Sequence, residues 1–184
     1  MNSKQLKFEN PARLDELKPF ETLQKIGLEE GHVVCDIGAG TGIFTLPAAR
    51  ITQNKVYALD INEEMLAIIR GKIETESISN VELLKVKDDH LPLHDNVIDI
   101  ALMVTVLHEI EDKTSFLKEV KRILKKGGKI VIIEFHKRQT HMGPPVEHRL
   151  GINEVRGIME EAGFAVLNHF DMGSNFYCLL FAQE

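Results

Sequence analysis

The chain has 184 residues, 43% of them hydrophobic and 27% charged, with a formal net charge of −6. That is the composition of an ordinary globular protein long enough to bury a full core, so disulfide or metal staples are not needed for stability. The negative balance argues against a broad nucleic-acid footprint, which requires a dense basic face. The polar segment Met1–Asn10 lacks a signal-peptide core, and no run approaches the ~20 apolar residues of a membrane span.

Short apolar runs alternate with longer amphipathic stretches, which predicts βαβ units and a parallel sheet. Asn10 can cap a helix that Pro11 starts. Pro19 begins a second, with Phe20, Leu23 and Ile26 on its apolar face and Gly27 at its stop. His32–Ile37 is the first strand, Thr41–Ile51 a helix, and Lys55–Asp60 the second strand. Asn62 caps a helix to about Ser77, and Val81–Val86 is the third strand. Val97–Val106 lacks polar alternation, as expected of a central strand covered on both faces. Asp112–Leu124 is amphipathic, Gly127-Gly128 is expected to end that helix, and Lys129–Phe135 is the fifth strand. The loop His136–Leu150 is long enough to be functional. Gly151–Ala162 is a helix. Ala165–Phe170 and Phe176–Ala182 are joined by too short a link for a parallel crossover, so the last strand should run antiparallel. Cys35 and Cys178 belong to no CxxC pair and read as reduced, buried thiols of a cytoplasmic protein.

The sharpest feature is Val33-Val34-Cys35-Asp36-Ile37-Gly38-Ala39-Gly40-Thr41-Gly42, an apolar strand running into glycines at alternating positions and then a helix. Glycine there lets a ligand approach the backbone, and the helix start beyond offers N–H groups to an anion. Asp60 follows Gly38 by 22 residues at the end of the second strand, where a carboxylate can accept from both hydroxyls of a ribose. A dinucleotide site expects G-x-G-x-x-G, and Ile43 stands where its last glycine would be. Asp36 also fits badly beside a pyrophosphate but well beside a cationic amino acid. S-adenosylmethionine (SAM) supplies such a group, and these residues favour it over NAD.

Three further stretches join this one. They are Ala58-Leu59-Asp60, Leu91-Pro92-Leu93-His94-Asp95-Asn96-Val97-Ile98-Asp99 and Leu124-Lys125-Lys126-Gly127-Gly128. Together they resemble the ribose-binding acid, the LPF-x-DNSFD stretch and the LKPGG turn of the class I SAM-dependent methyltransferases. Within that family the chain resembles the small bacterial enzymes related to the ubiquinone/menaquinone-biosynthesis C-methyltransferases. The resemblance implies one Rossmann-like, doubly wound α/β domain over residues 1–184. Its seven strands would run in the order 3-2-1-4-5-7-6, the last antiparallel, with helices on both faces. Residues 1–30 would form a helical extension or lid and residues 31–184 the core. It implies SAM as cofactor, with S-adenosylhomocysteine as product. Asp36, the turn Gly38, Ala39, Gly40, Thr41 and Gly42, and Asp60 would hold it. Gly38 and Gly40 would face its methionine portion and Ile61 and Met65 its adenine, with Val104 completing the set. Lys87 occupies the family's usual place for an acid that receives the adenine amino group, so Asp88, or else Asp89, takes that role.

Methyl transfer is an in-line displacement at an activated carbon, so positioning carries most of it and no triad is required. The acceptor is expected outside the ends of the first, fourth and fifth strands. There His108 is the candidate general base, with a hydrogen-bonded structural role as the alternative. In the long loop, His136, His141 and Arg149 are candidate substrate contacts. The spacing of His136, His141, Glu147 and His148 fits no compact metal site, and no metal is expected. The fourth strand lacks the N/D-P-P-Y/F motif of amino-methylating nucleic-acid enzymes. With the acidic charge, this points to a small-molecule acceptor and no nucleic acid. Phe8–Leu17 and the loop 136–150 are available as a lid. A modest pocket, or an open one completed by a homodimer partner, is expected. A non-catalytic SAM-binding protein and an NAD-dependent oxidoreductase are the alternatives.

Overall fold

In the computed structural model, residues 8–87 and 90–183 are described. Helix α1 (Pro11–Leu17) opens where Asn10 Oδ1 accepts from the Ala12 N–H at 2.9 Å and proline occupies the first turn. Lys18, in the left-handed conformation, ends it, and Pro19 starts α2 (Pro19–Lys25) at once. Both helices are too short to persist alone and hold through burial of Leu17, Leu23 and Ile26. Polar ties add to this. Glu16 accepts from Asn175 N–H at 2.8 Å, and Lys72 Nζ donates to Glu9 Oε1 and to the Thr41 carbonyl, both at 2.7 Å.

Seven strands form one sheet: β1 (Val34–Ile37), β2 (Val56–Asp60), β3 (Val81–Lys85), β4 (Ile98–Val104), β5 (Leu124–Phe135), β6 (Phe164–Met172) and β7 (Phe176–Gln183). Their spatial order is β3-β2-β1-β4-β5-β7-β6, as expected. Pairing is parallel throughout except that β7 runs antiparallel to both β5 and β6. The remaining helices are α3 (Thr45–Thr52), α4 (Glu63–Thr75), α5 (Lys113–Ile123) and α6 (Ile152–Glu161). Alternate strand residues serve opposite faces. Val34, Ile100, Val131 and Cys178 pack with α1–α3. Cys35, Ala101, Ile130 and Leu179 pack with α5 and α6. Cover on both faces explains why β1 and β4 are apolar without alternation, broken only by Asp36 and Asp99.

Several boundaries differ from expectation, β5 starting five residues early at Leu124. Helix α3 starts at Thr45 rather than Thr41, because the chain must first clear a turn in which Gly38, Gly40 and Gly42 all have positive φ. Helix α5 stops at Ile123, before the glycine pair. Its last carbonyls are taken by the incoming fourth strand: Arg122 O accepts from Asn96 N–H and Ile123 O from Val97 N–H. Leu124 then turns extended, and Gly127-Gly128 lies inside the irregular start of β5. Strand β4 ends at Val104 rather than Val106, since Thr105 takes φ 57° and donates its N–H to Ile133 O at 2.7 Å.

Gly42 serves the packing of α3 against α4. A Cβ there would lie 2.8 Å from Leu46 Cδ1 and 3.0 Å from Ile69 Cγ1, at φ 80°. Gly42→Ala therefore combines left-handed strain with overpacking. It should destabilise the protein by about 2–4 kcal/mol in urea or guanidinium unfolding.

Candidate active site

A cavity of about 570 Å³ opens at the carboxyl ends of β1, β2 and β4, the crevice where open α/β sheets bind ligands. The glycine turn forms its floor. Gly38 and Ala39 both donate their N–H to Leu59 O, at 2.8 and 2.9 Å, and Gly42 donates to Ala39 O at 2.9 Å. Gly40 donates to Asp60 Oδ2 at 2.8 Å, and Asp60 Oδ1 accepts from Asn62 N–H at 2.8 Å. These four turn amides are thus spent inside the protein. The expected offer of N–H groups to an anion does not hold for them.

Asp36 is 2% exposed and accepts from Thr45 Oγ1 at 2.6 Å. Burial pushes its carboxyl up to about 6; the Thr45 bond works against that shift and the nearby Asp60 charge adds to it. Two buried carboxylates at adjacent strand ends make the floor electronegative. Thr41 is buried, and its Oγ1 has no hydrogen-bond partner, an unusual state for an enclosed hydroxyl. At Gly38 a Cβ would fall 2.5 Å from Val106 Cγ2, so this glycine is required by the chain leaving β4.

Asp36, Gly38, Ala39, Gly40, Thr41, Asp60, Ile61, Met65 and Val104 all border the cavity, whereas Gly42 does not. Ile61 is 73% exposed beside it, a bare apolar platform; Met65 is buried. Asp88 and Asp89 lie outside the described residues.

The catalytic and substrate candidates fall elsewhere. His108 is not part of the cavity wall. It sits on a 3-10 turn, Leu107–Glu109, with Nδ1 2.8 Å from Glu134 Oε2 and its backbone N–H donating to Glu134 Oε1 at 3.2 Å. Its Nε2 stands 3.8 Å from Glu109 Oε1, and Glu109 does line the cavity. Burial tends to lower the His108 pKa, but the Glu134 hydrogen bond and charge win, and it is raised above the ordinary value. His136 packs on the Tyr177 ring with Nε2 3.2 Å from Asp171, away from the cavity, and its pKa is lowered chiefly by burial. His141 is exposed. Arg149 is buried at 4% exposure and donates to the carbonyls of Pro144, His136, Arg138 and Met142 and to Thr140 Oγ1. Its guanidinium clamps the loop, which replaces the expected substrate contact. Among the described residues, no three metal-ligating side chains converge.

Two functional-looking residues escaped the sequence reading. Arg13 lines the cavity at 8% exposure, donating to Thr105 Oγ1 at 3.1 Å. Glu134 is 1% exposed within β5. Arg13 lies four residues before the buried Leu17 on α1, so helical spacing placed it inward. A charge within the run Ile130–Phe135 likewise signals a buried partner.

The chain is similar to known proteins. A methyltransferase-domain family model matches residues 35–132, more than half of the chain. The ubiquinone/menaquinone biosynthesis C-methyltransferase UbiE of Marinomonas sp. is 31% identical over 124 residues, 66% of this chain and 49% of that protein. The UbiE of Shewanella oneidensis is 35% identical over 121 residues, 64% of this chain and 48% of that protein. The chain thus spans about half the length of these curated relatives. A crystal structure of a SAM-dependent methyltransferase from Aquifex aeolicus superposes with a TM-score of 0.94 at 33% identity, covering 99% of this chain and 98% of that one. The [4+2]-cyclase SpnF shares the fold at a TM-score of 0.80 and 19% identity, covering 91% of this chain and 80% of that one.

Two titrations follow from these environments. The raised Asp36 carboxyl means the folded state holds a proton that the unfolded chain releases. Its ionisation therefore costs stability as pH rises from ~4 to ~6. Ligand-free Asp36→Asn should match the wild type near pH 4 and exceed it by about 2–3 kcal/mol above pH 7 in denaturant unfolding. The raised His108 pKa has the same sign, in a higher window: its contribution is full below the ordinary histidine value and is lost as pH rises through the folded one. In an NMR titration His108 should titrate above 6.5, and Glu134→Gln should bring it below that value.

Proposed function

This chain belongs to the SAM-dependent methyltransferase family, and from that premise we propose that it methylates a small-molecule acceptor using SAM. The observation that carries the reading is the buried pair Asp36 and Asp60 beneath a turn in which the amides of Gly38, Ala39, Gly40 and Gly42 are spent internally. Such a floor welcomes a cationic ligand and offers no cradle to a pyrophosphate. The residues fit the cofactor: an open side at Gly40, a partnerless Thr41 hydroxyl and the bare Ile61 platform are places a ligand would complete.

SAM, when bound, supplies a methyl group on a sulfonium leaving group, so activation of the donor is not the protein's task. Asp36, held by Thr45, would meet the α-ammonium, and Asp60 would use its remaining lone pairs for ribose hydroxyls. Ile61 and Met65 would flank the adenine. Orientation of this kind can contribute roughly 7–11 kcal/mol. His108 acts as a positioning residue: anchored by Glu134, it supports Glu109 at the cavity wall. His136 and Arg149 shape the loop after β5. The reading treats the chain as one domain with residues 1–30 as its lid, supported by Phe8 and Arg13 at the cavity. It places the enzyme in the cytoplasm, in keeping with two free buried cysteines. No helix among the described residues is long and apolar enough to cross a membrane.

Saturating S-adenosylhomocysteine, at 100 times its dissociation constant, should stabilise the protein by about 2.7 kcal/mol. That is a melting shift of about 5–10 °C. NAD should give none; a shift with NAD alone would sink the reading. Ile61→Asp, at an exposed position that folding tolerates, should weaken adenosyl binding at least ~10-fold through lost apolar contact and added charge. Label from methyl-tritiated SAM should appear in an added small-molecule acceptor.

A further inference from the structure

Among the described residues lining the cavity, Arg13 carries the only positive charge, against carboxylates at Asp36, Asp60, Glu109 and Glu111. Its guanidinium is enclosed by the rings of Phe176, Phe135 and Phe8, with centroids 5.2, 5.5 and 6.0 Å from Cζ. Yet it is poorly satisfied. Among the described residues it makes one hydrogen bond, to Thr105 Oγ1, and its buried Nε has no partner. No carboxylate stands within ion-pairing distance among the described residues. Glu134, the nearest influence of opposite charge, is engaged with His108. Burial dominates, drawing the Arg13 pKa down to about 10.

Arg149 shows what a structural arginine looks like in the same molecule, with four carbonyls and a hydroxyl around its fork. Arg13 has the same burial and one acceptor. An enclosed guanidinium with idle donors is incomplete until a planar anion meets it.

Strand order gives the side of the cavity. Asp60 ends β2 and Asp36 lies in β1, while Arg13 rests on Thr105 beyond β4, Phe135 at the end of β5 and Phe176 at the start of β7. The cation therefore sits across the sheet from the ribose and ammonium positions. We propose that Arg13 anchors the methyl acceptor, and that the acceptor is a small acid whose carboxylate docks on this guanidinium with its apolar body against Phe8, Val106, Ile110 and Phe116. The proposal rests on the methyl-transfer reading of the cavity. In a pocket whose other charges are negative, one cation also fixes which end of an acid enters first.

The test uses the full chain with S-adenosylhomocysteine bound, and calorimetric titration of benzoate, phenylacetate and hexanoate, each against its primary amide. On the wild type at least one acid should bind ~10-fold or more tightly than its amide. Arg13→Met should abolish that preference and Arg13→Lys should keep part of it. Binding of S-adenosylhomocysteine should stay within ~2-fold in both variants. Ligand-free Arg13→Met should melt no lower than the wild type, because a structural arginine would be missed and an idle one would not. The proposal is overturned if no acid outbinds its amide, or if Arg13→Met leaves the preference intact. It is also overturned if Arg13→Met weakens S-adenosylhomocysteine about tenfold while 5′-methylthioadenosine, which lacks the amino acid, is unaffected; the guanidinium would then belong to the cofactor's own carboxylate. A wild type that binds no adenosyl ligand would overturn this proposal together with the reading beneath it.

Discussion

The ligand end of the sheet depends on how β2 receives the glycine turn. Leu59 O accepts from two successive amides, and the Asp60 carboxylate accepts from one amide on each side of the crevice, Gly40 and Asn62. Each bond contributes modestly to stability, about 1 kcal/mol net and more where the acceptor is charged. Their larger effect is on what the turn presents. A glycine loop of similar shape in a dinucleotide site aims its amides at phosphate. Here the amides turn inward and leave carboxylates as the local charges, so a similar trace carries the opposite electrostatic character.

That character shapes the opposite wall as well. A buried carboxylate at Glu134 within the interior strand β5 needs a partner, and His108 supplies it from the turn that follows β4. Thr105, thrown into the left-handed region as β4 ends, brings its hydroxyl to Arg13. The polar groups in and behind this wall come from α1, the turn after β4 and β5, far apart in the chain. They meet because the parallel strands end together. SpnF shares this fold while named for another reaction, so the chemistry of a given chain resides in such walls rather than in the sheet.

The sheet order came with the family resemblance, whereas the turn and acid at the floor were legible because their signals are local. Alternating glycines after an apolar strand, and an acid at the end of the next, determine where a turn and a carboxylate meet. Helix caps at Asn10 and Asn62 were equally local, each accepting from an amide two residues on. The stop signal of α5 was not, since its last carbonyls are claimed by residues 96 and 97, outside the helix, and not by the glycine pair. His108 and Arg149 were attractive from their residue types and loop positions. Their partners, Glu134 and a set of loop carbonyls, lie where no spacing rule reaches. Arg13 looked like part of an ordinary capped helix until three phenylalanines, two of them more than 100 residues away, closed around it.

Helix α1 has seven residues and no stability of its own. It is kept in place by Leu17 beneath it, by Glu16 on the β6–β7 turn and by the neighbouring Glu9 on Lys72, whose other bond holds the glycine turn. The loop after β5, by contrast, is pinned by a saturated arginine. With residues 1–30 as the proposed lid, traffic into and out of the cavity becomes a question of rates at one latch. The lifetime of an occupied cavity is coupled to the fraying of a single short helix, and the same Lys72 that steadies that helix also senses the backbone on which the ligand would rest.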